Sequence, residues 1–264
     1  MSQAEERTER PGRLDLPGRR LLVAEIVLVF ALSLGADGVR AVLYLVGALT
    51  ARVALARQQA VLVGTYAPGR PLLDLAFQLL GIATALVPVA LVLYLLHRSG
   101  ERAADIGLDA SRPGKDALWG AGLAALVGGT GLVLYVGARL AGVSLTIVPE
   151  SLPAVWWRVP VLVLAAVQDG LLEETLVVGY LLRRLRQLGW SDRTALATSA
   201  VLRGSYHLYQ GFGAFIGNAA MGLLFGRIYQ RTGRTTPLVI AHSLIDAVAF
   251  VGYVYLHGKV SWLP

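Results

Sequence analysis

The stretch that decides the fold runs from Val155 to Leu182, and its centre reads Gln168-Asp169-Gly170-Leu171-Leu172-Glu173-Glu174-Thr175-Leu176-Val177-Val178-Gly179-Tyr180-Leu181-Leu182. Flanking pieces such as Val161 to Val167 would sit comfortably in lipid, yet two adjacent acids lie between them. Glu173 falls ten residues before the basic cluster of Arg183, Arg184 and Arg186. At 1.5 Å rise per residue that is roughly 15 Å, near the middle of a ~30 Å hydrocarbon core. An ionisable side chain at that depth costs at least a few kcal/mol, so an adjacent pair marks a functional site.

The composition agrees. Of 264 residues, 55% are hydrophobic and only 16% charged, and the mean hydropathy is +0.60. A soluble domain carries about 25% charged residues. The chain therefore reads as an all-α, polytopic transmembrane helical bundle, whose ionisable residues at similar depth on different helices are expected to converge on an intramembrane polar cavity. The absence of cysteine removes disulfides, thiolate catalysis and cysteine-ligated zinc. The net charge is +7, but arginines and lysines gather between apolar runs, so the lipid bilayer is the implied partner and nucleic acid is not. Arginine outnumbers lysine twenty-two to two, which points to a GC-rich bacterial source.

About seven spans follow outward from the glutamates. Residues 1–20 form a polar, disordered cytoplasmic tail, and residues 21–116 hold the N-terminal spans and an amphipathic connector. Residues 117–257 hold the core helices, and 258–264 a short C-terminal tail. The first span, Leu21 to Thr50, is long for one crossing and is interrupted at Gly35-Ala36-Asp37-Gly38; Asp37 can pair with Arg40 three residues on. The second, Leu72 to His97, carries Pro88 as a kink. In the connector Glu101, Asp105 and Asp109 recur every four residues, as on a solvated interfacial helix. The third span is Ala117 to Ala141, and the fourth is the glutamate helix, entered through Trp156-Trp157 as interfacial anchors. Thr194 to Tyr209 makes the fifth, Phe215 to Tyr229 the sixth and Leu238 to Leu256 the seventh. Gly213, Gly217, Gly222 and Gly226 have the spacing that lets helices pack closely. With the N-terminus cytoplasmic, inside segments hold sixteen lysines and arginines and outside segments six. That imbalance orients the chain as a multi-pass protein of the cell membrane, with residues 51–71 fitting least well.

The C-terminal half adds His207, His242, Asp246, Arg203 and Asp169 to the glutamates. His242 and Asp246 are four apart and share a helix face. Such a set can activate water, bind a divalent metal or relay protons. Glu173 and Glu174 cannot both stay charged cheaply in a dry pocket, so the pair supplies an acid and a base in one place. No G-x-S-x-G, cysteine nucleophile or H-E-x-x-H is present.

At these residues the sequence resembles the CPBP family of intramembrane proteases, related to the CAAX prenyl endopeptidases and to bacteriocin-processing and immunity proteins. The family's E-E-x-x-x-R falls on Glu173 to Val178, with valine in place of arginine. Its F-x-x-x-H falls on Arg203 to His207, with arginine in place of the aromatic. Its histidine followed four residues later by Asn or Asp is His242 and Asp246. The resemblance covers about Ala117 to Phe250 and implies an intramembrane endopeptidase, a hydrolase acting on a peptide or membrane-protein substrate. It implies that Glu173, with Glu174 beside it, and His207 activate water while His242 and Asp246 stabilise the oxyanion. Relatives have been described both as metal-free glutamate proteases and as metalloproteases. Both options stay open: no cofactor, or one divalent metal such as zinc on Glu173, His207, His242 and Asp246. Arg203 is expected to pair with Glu174 and take over the work of the arginine missing at Val178. Two alternatives are a catalytically inactive scaffold or immunity protein of the same fold and a proton-coupled transporter, although the inverted repeats of the latter are absent.

Overall fold

The computed structural model describes residues 16–260, so most of the expected N-terminal tail and the last residues of the C-terminal one lie outside the described residues. The chain is built almost wholly of helices: α1 (Leu16–Ala31), α2 (Leu34–Thr50), α3 (Pro71–Ala85), α4 (Val87–Arg98), α5 (Pro113–Leu140), α6 (Arg158–Glu173), α7 (Leu181–Gln187), α8 (Asp192–Ser205), α9 (Phe212–Thr232) and α10 (Thr236–Leu256). Among the described residues, three stretches are long and apolar enough to cross a membrane, namely Pro71–Arg98, Pro113–Leu140 and Thr236–Leu256. A fourth is gained if α1 and α2, bent by 49°, count as one broken span. The remaining expected spans are helices that miss this standard. The glutamate helix α6 has 16 residues before its geometry changes, and α8 has 14. α9 is diluted by glycines, Asn218 and Arg227.

Several boundaries differ from expectation for identifiable reasons. The break in the first span falls at Leu32-Ser33, where the Ser33 hydroxyl donates to the Val29 carbonyl at 2.6 Å, and Gly35 and Gly38 lie inside α2. Pro88 acts as expected: lacking an N–H, it divides α3 from α4 at Leu86. The acids at Glu101, Asp105 and Asp109 do not form a helix face. That segment folds as a loop around one short turn, Ala103–Ile106, because each acid has its own partner: Glu101 binds Arg183 and Arg184, Asp105 caps the Arg102 amide, and Asp109 binds Arg234. Trp156 is 78% exposed as an anchor would be, but Trp157 is 1% exposed and belongs to the core beside Val161 and Phe250.

The awkward segment 51–71 contains a strand, β1 (Gln59–Val63), which pairs in parallel with β2 (Thr146–Glu150) in the register Gln59 to Thr146. This pairing ties two distant loops into one end of the bundle. The same end receives the Tyr135 hydroxyl from α5, accepting from the Ile147 amide at 3.0 Å, and the Arg158–Glu150 ion pair. The opposite end is held by charge. Arg184 is buried, binding Glu25 at 3.0 Å and Glu101 at 2.6 Å, while Arg234 binds Asp109 at 2.8 Å and also Asp116. Between the two ends, α6 and α10 meet at Gly170, where a Cβ would lie 2.9 Å from the Val239 carbonyl. Gly222 does the same for α9 and α8, with a Cβ 3.0 Å from Ala200.

Candidate active site

The two glutamates lie where α6 changes its winding. After Glu173 the chain runs through a π-helical segment, Glu174–Tyr180, in which every residue is buried, before α7 resumes. Wider winding of this kind is rare and collects at functional sites. It lets consecutive carboxylates address different neighbours. Glu174 faces Arg203 on α8 and His242 on α10, and Glu173 faces the turn after α8.

Arg203 supplies the expected pair. Its guanidinium is fully buried, Nη2 binds Glu174 Oε1 directly, and the same nitrogen is 3.7 Å from Glu173 Oε2. The Phe225 ring lies under it, 5.8 Å from centroid to guanidinium carbon. Val178, where the family motif carries its arginine, is fully buried in apolar core.

His242 stands between two carboxylates. Its Nδ1 is 2.8 Å from Glu174 Oε1, and its Nε2 is 3.3 Å from Asp246 Oδ2 one turn on. Both ring nitrogens are thus placed to donate, because ionised carboxylates only accept.

His207 is not in a regular helix as expected. α8 ends at Ser205, and His207 sits in the irregular turn that leads to Gly211, whose φ of +102° suits glycine. Its Nδ1 lies 3.0 Å from the Arg203 carbonyl. A carbonyl only accepts, so Nδ1 carries a proton, and in the neutral ring Nε2 then presents a lone pair. That lone pair faces Glu173 Oε1 at 3.9 Å. Two acceptors face one another across a gap that suits a molecule with two protons to give.

Sequence reasoning missed Tyr206. Its hydroxyl donates to Glu173 Oε2 at 2.7 Å, and the side chain is buried. The signal for it in the sequence is its place next to His207. Asp169 bonds to Gln168, and Asn218 to the Ala214 carbonyl; both line the same concavity as Glu173.

That concavity has a volume of about 1710 Å³. Its walls are mostly apolar, and Glu173, His207, His242 and Asp246 are among the few ionisable groups on it. Glu174 and Arg203 lie behind the wall. The donors considered for a divalent metal do not assemble: among the described residues no group of three or more His, Asp or Glu side chains is arranged to hold one. His242 in particular has both ring nitrogens engaged with carboxylates.

Residues 155–248 match the family model of the Rce1-like type II CAAX prenyl endopeptidases. This segment is Rce1-like. The resemblance to CPBP proteases is borne out over that region, which holds both glutamates, Arg203, His207, His242 and Asp246, and is narrower than Ala117 to Phe250. Neither the curated proteins nor the solved structures give a match. The Rce1-like segment includes the π-helical turn and the α8 turn, so both devices that aim the site belong to it.

Proposed function

We propose that this chain is an intramembrane endopeptidase in which Glu173 and His207 activate water against a peptide bond. The observation that carries the reading is the pair of facing acceptors, Glu173 Oε1 and His207 Nε2, 3.9 Å apart on the wall of the concavity. A water giving one proton to each would direct its oxygen lone pair outward, toward a carbonyl carbon held in the concavity. As the C–O bond forms, Glu173 takes the proton and later passes it to the leaving amine. Tyr206 holds the other oxygen of Glu173 in place.

The oxyanion falls to His242. Its Nε2–H turns from Asp246 to the substrate oxygen, while Glu174 on Nδ1 keeps the ring oriented and balances its charge. Asp246, an acceptor, acts as the ground-state partner that the oxyanion displaces. Arg203 keeps Glu174 ionised, the work of the family arginine that Val178 lacks.

In the same proposal the bundle lies in the cell membrane with its N-terminus cytoplasmic, and α6 to α9 complete seven traversing segments around the cavity. Its partners are the bilayer and a peptide or membrane-protein substrate. The test is cleavage of a membrane-tethered peptide library in liposomes, with mass spectrometry of the new termini. New termini formed by the parent chain and absent with a Glu173→Gln, His207→Ala double variant support the peptidase. No new terminus from the folded parent would favour the inactive scaffold.

A further inference from the structure

The lining of the concavity reaches one end of the bundle and not the other. On α6 the last residue lining it is Glu173, and on α10 the first is His242. From there the lining runs along α10 as far as Leu256 and reaches Val63 of β1 and Ile147 of β2. Nothing from α4, α7, α8 or the connector at 99–112 lines it. The far end is sealed. Between the glutamates and the basic end lie Leu176, Val177, Phe225, Leu238 and Ile106, all completely buried and in one cluster. The Arg203–Glu174 pair closes the remaining polar gap. The glutamate site therefore lies at the deep end of a funnel whose mouth reaches the two-stranded sheet and whose flank is partly open at Tyr44, Leu132 and Val248.

The two ends differ in charge. The sealed end carries the basic segments at 98–115, 183–193 and 227–234, whereas the mouth carries Arg52, Arg57, Arg70, Arg139, Arg158 and Lys259, with Arg158 paired to Glu150. By the positive-inside rule the sealed end is cytoplasmic. We infer that substrate enters from the opposite, extracytoplasmic side, so that the scissile bond lies in an apolar peptide segment presented outside the cytoplasm. The mostly apolar walls select apolar side chains beside that bond. This inference rests on the peptidase reading for its substrate, and on the lining together with the charge difference between the two ends for its sidedness.

The absence of cysteine makes the sidedness directly measurable. Gly128 lines the funnel, and a side chain there meets only Ile245, at 3.8 Å. Arg102 lies in the connector at the sealed end, with a side chain 79% exposed. In intact cells, a membrane-impermeant thiol reagent is expected to label Gly128→Cys without permeabilisation and Arg102→Cys only after it. Labelling of Gly128→Cys only after permeabilisation, labelling of both from outside, or a Gly128→Cys that never labels in a folded protein overturns the sidedness. A second arm adds an impermeant peptide carrying a cleavable apolar segment. Cleavage from outside by the parent, lost in Glu173→Gln, supports entry from that side, and cleavage only after permeabilisation overturns it. No cleavage from either side, with Gly128→Cys still labelled from outside, removes the peptidase reading and leaves the outward funnel standing.

Discussion

Tyr206 donates its hydroxyl to Glu173 Oε2 at 2.7 Å and so decides that Oε1 is the oxygen facing His207. Neighbours in sequence thus serve the same carboxylate from two sides. Tyr206→Phe keeps the ring and removes only the hydrogen bond. A bond to a charged group is worth about 1.5–3 kcal/mol, so kcat is expected to fall roughly ten- to a hundredfold. KM should hold, because Tyr206 is 5% exposed and its hydroxyl is committed to Glu173. An unchanged kcat, or a loss confined to KM, would remove Tyr206 from the account.

Arg203 and Glu174 are both fully buried, so removing one strands the other. Arg203→Met is expected to cost about 3–5 kcal/mol of stability, with most of it recovered when Glu174→Gln is added. Thermal or denaturant unfolding in detergent measures both. The functional counterpart is an exchange of motif positions. Arg203→Phe loses activity, Val178→Arg alone does not improve it, and the double variant recovers it by restoring the family's own arrangement. Full activity in Arg203→Phe alone contradicts the compensation.

Much of this was legible in the sequence. The glutamate pair, its histidines and Asp246 stand out because charge is so costly among apolar residues, and the pairing of Arg203 followed from the same cost. The sheet was not legible. Ala60 to Val63 is a four-residue apolar run, and such a run fits a strand or a buried helix equally well by periodicity. The connector misled because its four-residue acid spacing matched a helix, whereas Glu101 and Asp109 answer to arginines more than 70 residues away and Asp105 to the amide of Arg102. Nor did spacing show that α8 would end before His207, since that depends on the turn leading to Gly211.

Helix contact at Gly170 sets the distance between Glu174 and His242. Gly170→Ala would put a Cβ 2.9 Å from both the Ser243 amide nitrogen and the Val239 oxygen, on backbone that cannot swing aside. Overpacking of this kind costs about 1–3 kcal/mol, and activity should fall with it as α10 shifts. Gly122 on α5 has nothing within 4 Å of the same position, so Gly122→Ala is expected to be neutral or stabilising by up to about 1 kcal/mol. Equal melting temperatures for the two variants would contradict this packing.

Asp109 lies in the connector, outside the spans. The Ser111 hydroxyl and amide, and then Arg234, hold its carboxyl down from 3.8 to about 2. Folding thus favours the ionised form, so its stabilisation is fully present above pH 3.8 and is lost as the pH falls through about 2. Asp109→Asn should lower the melting temperature at neutral pH, and the gap from the parent should close in acid. A gap that stays constant down to pH 2 would show that Asp109 acts without its charge.

The central claim is that Glu173 is the base. It is tested most directly by single-turnover cleavage of a defined substrate by purified, reconstituted Glu173→Gln, with its melting temperature measured alongside. The account predicts a rate at least about 10²-fold below the parent with the melting temperature nearly unchanged. Cleavage by Glu173→Gln at the parental rate would contradict it.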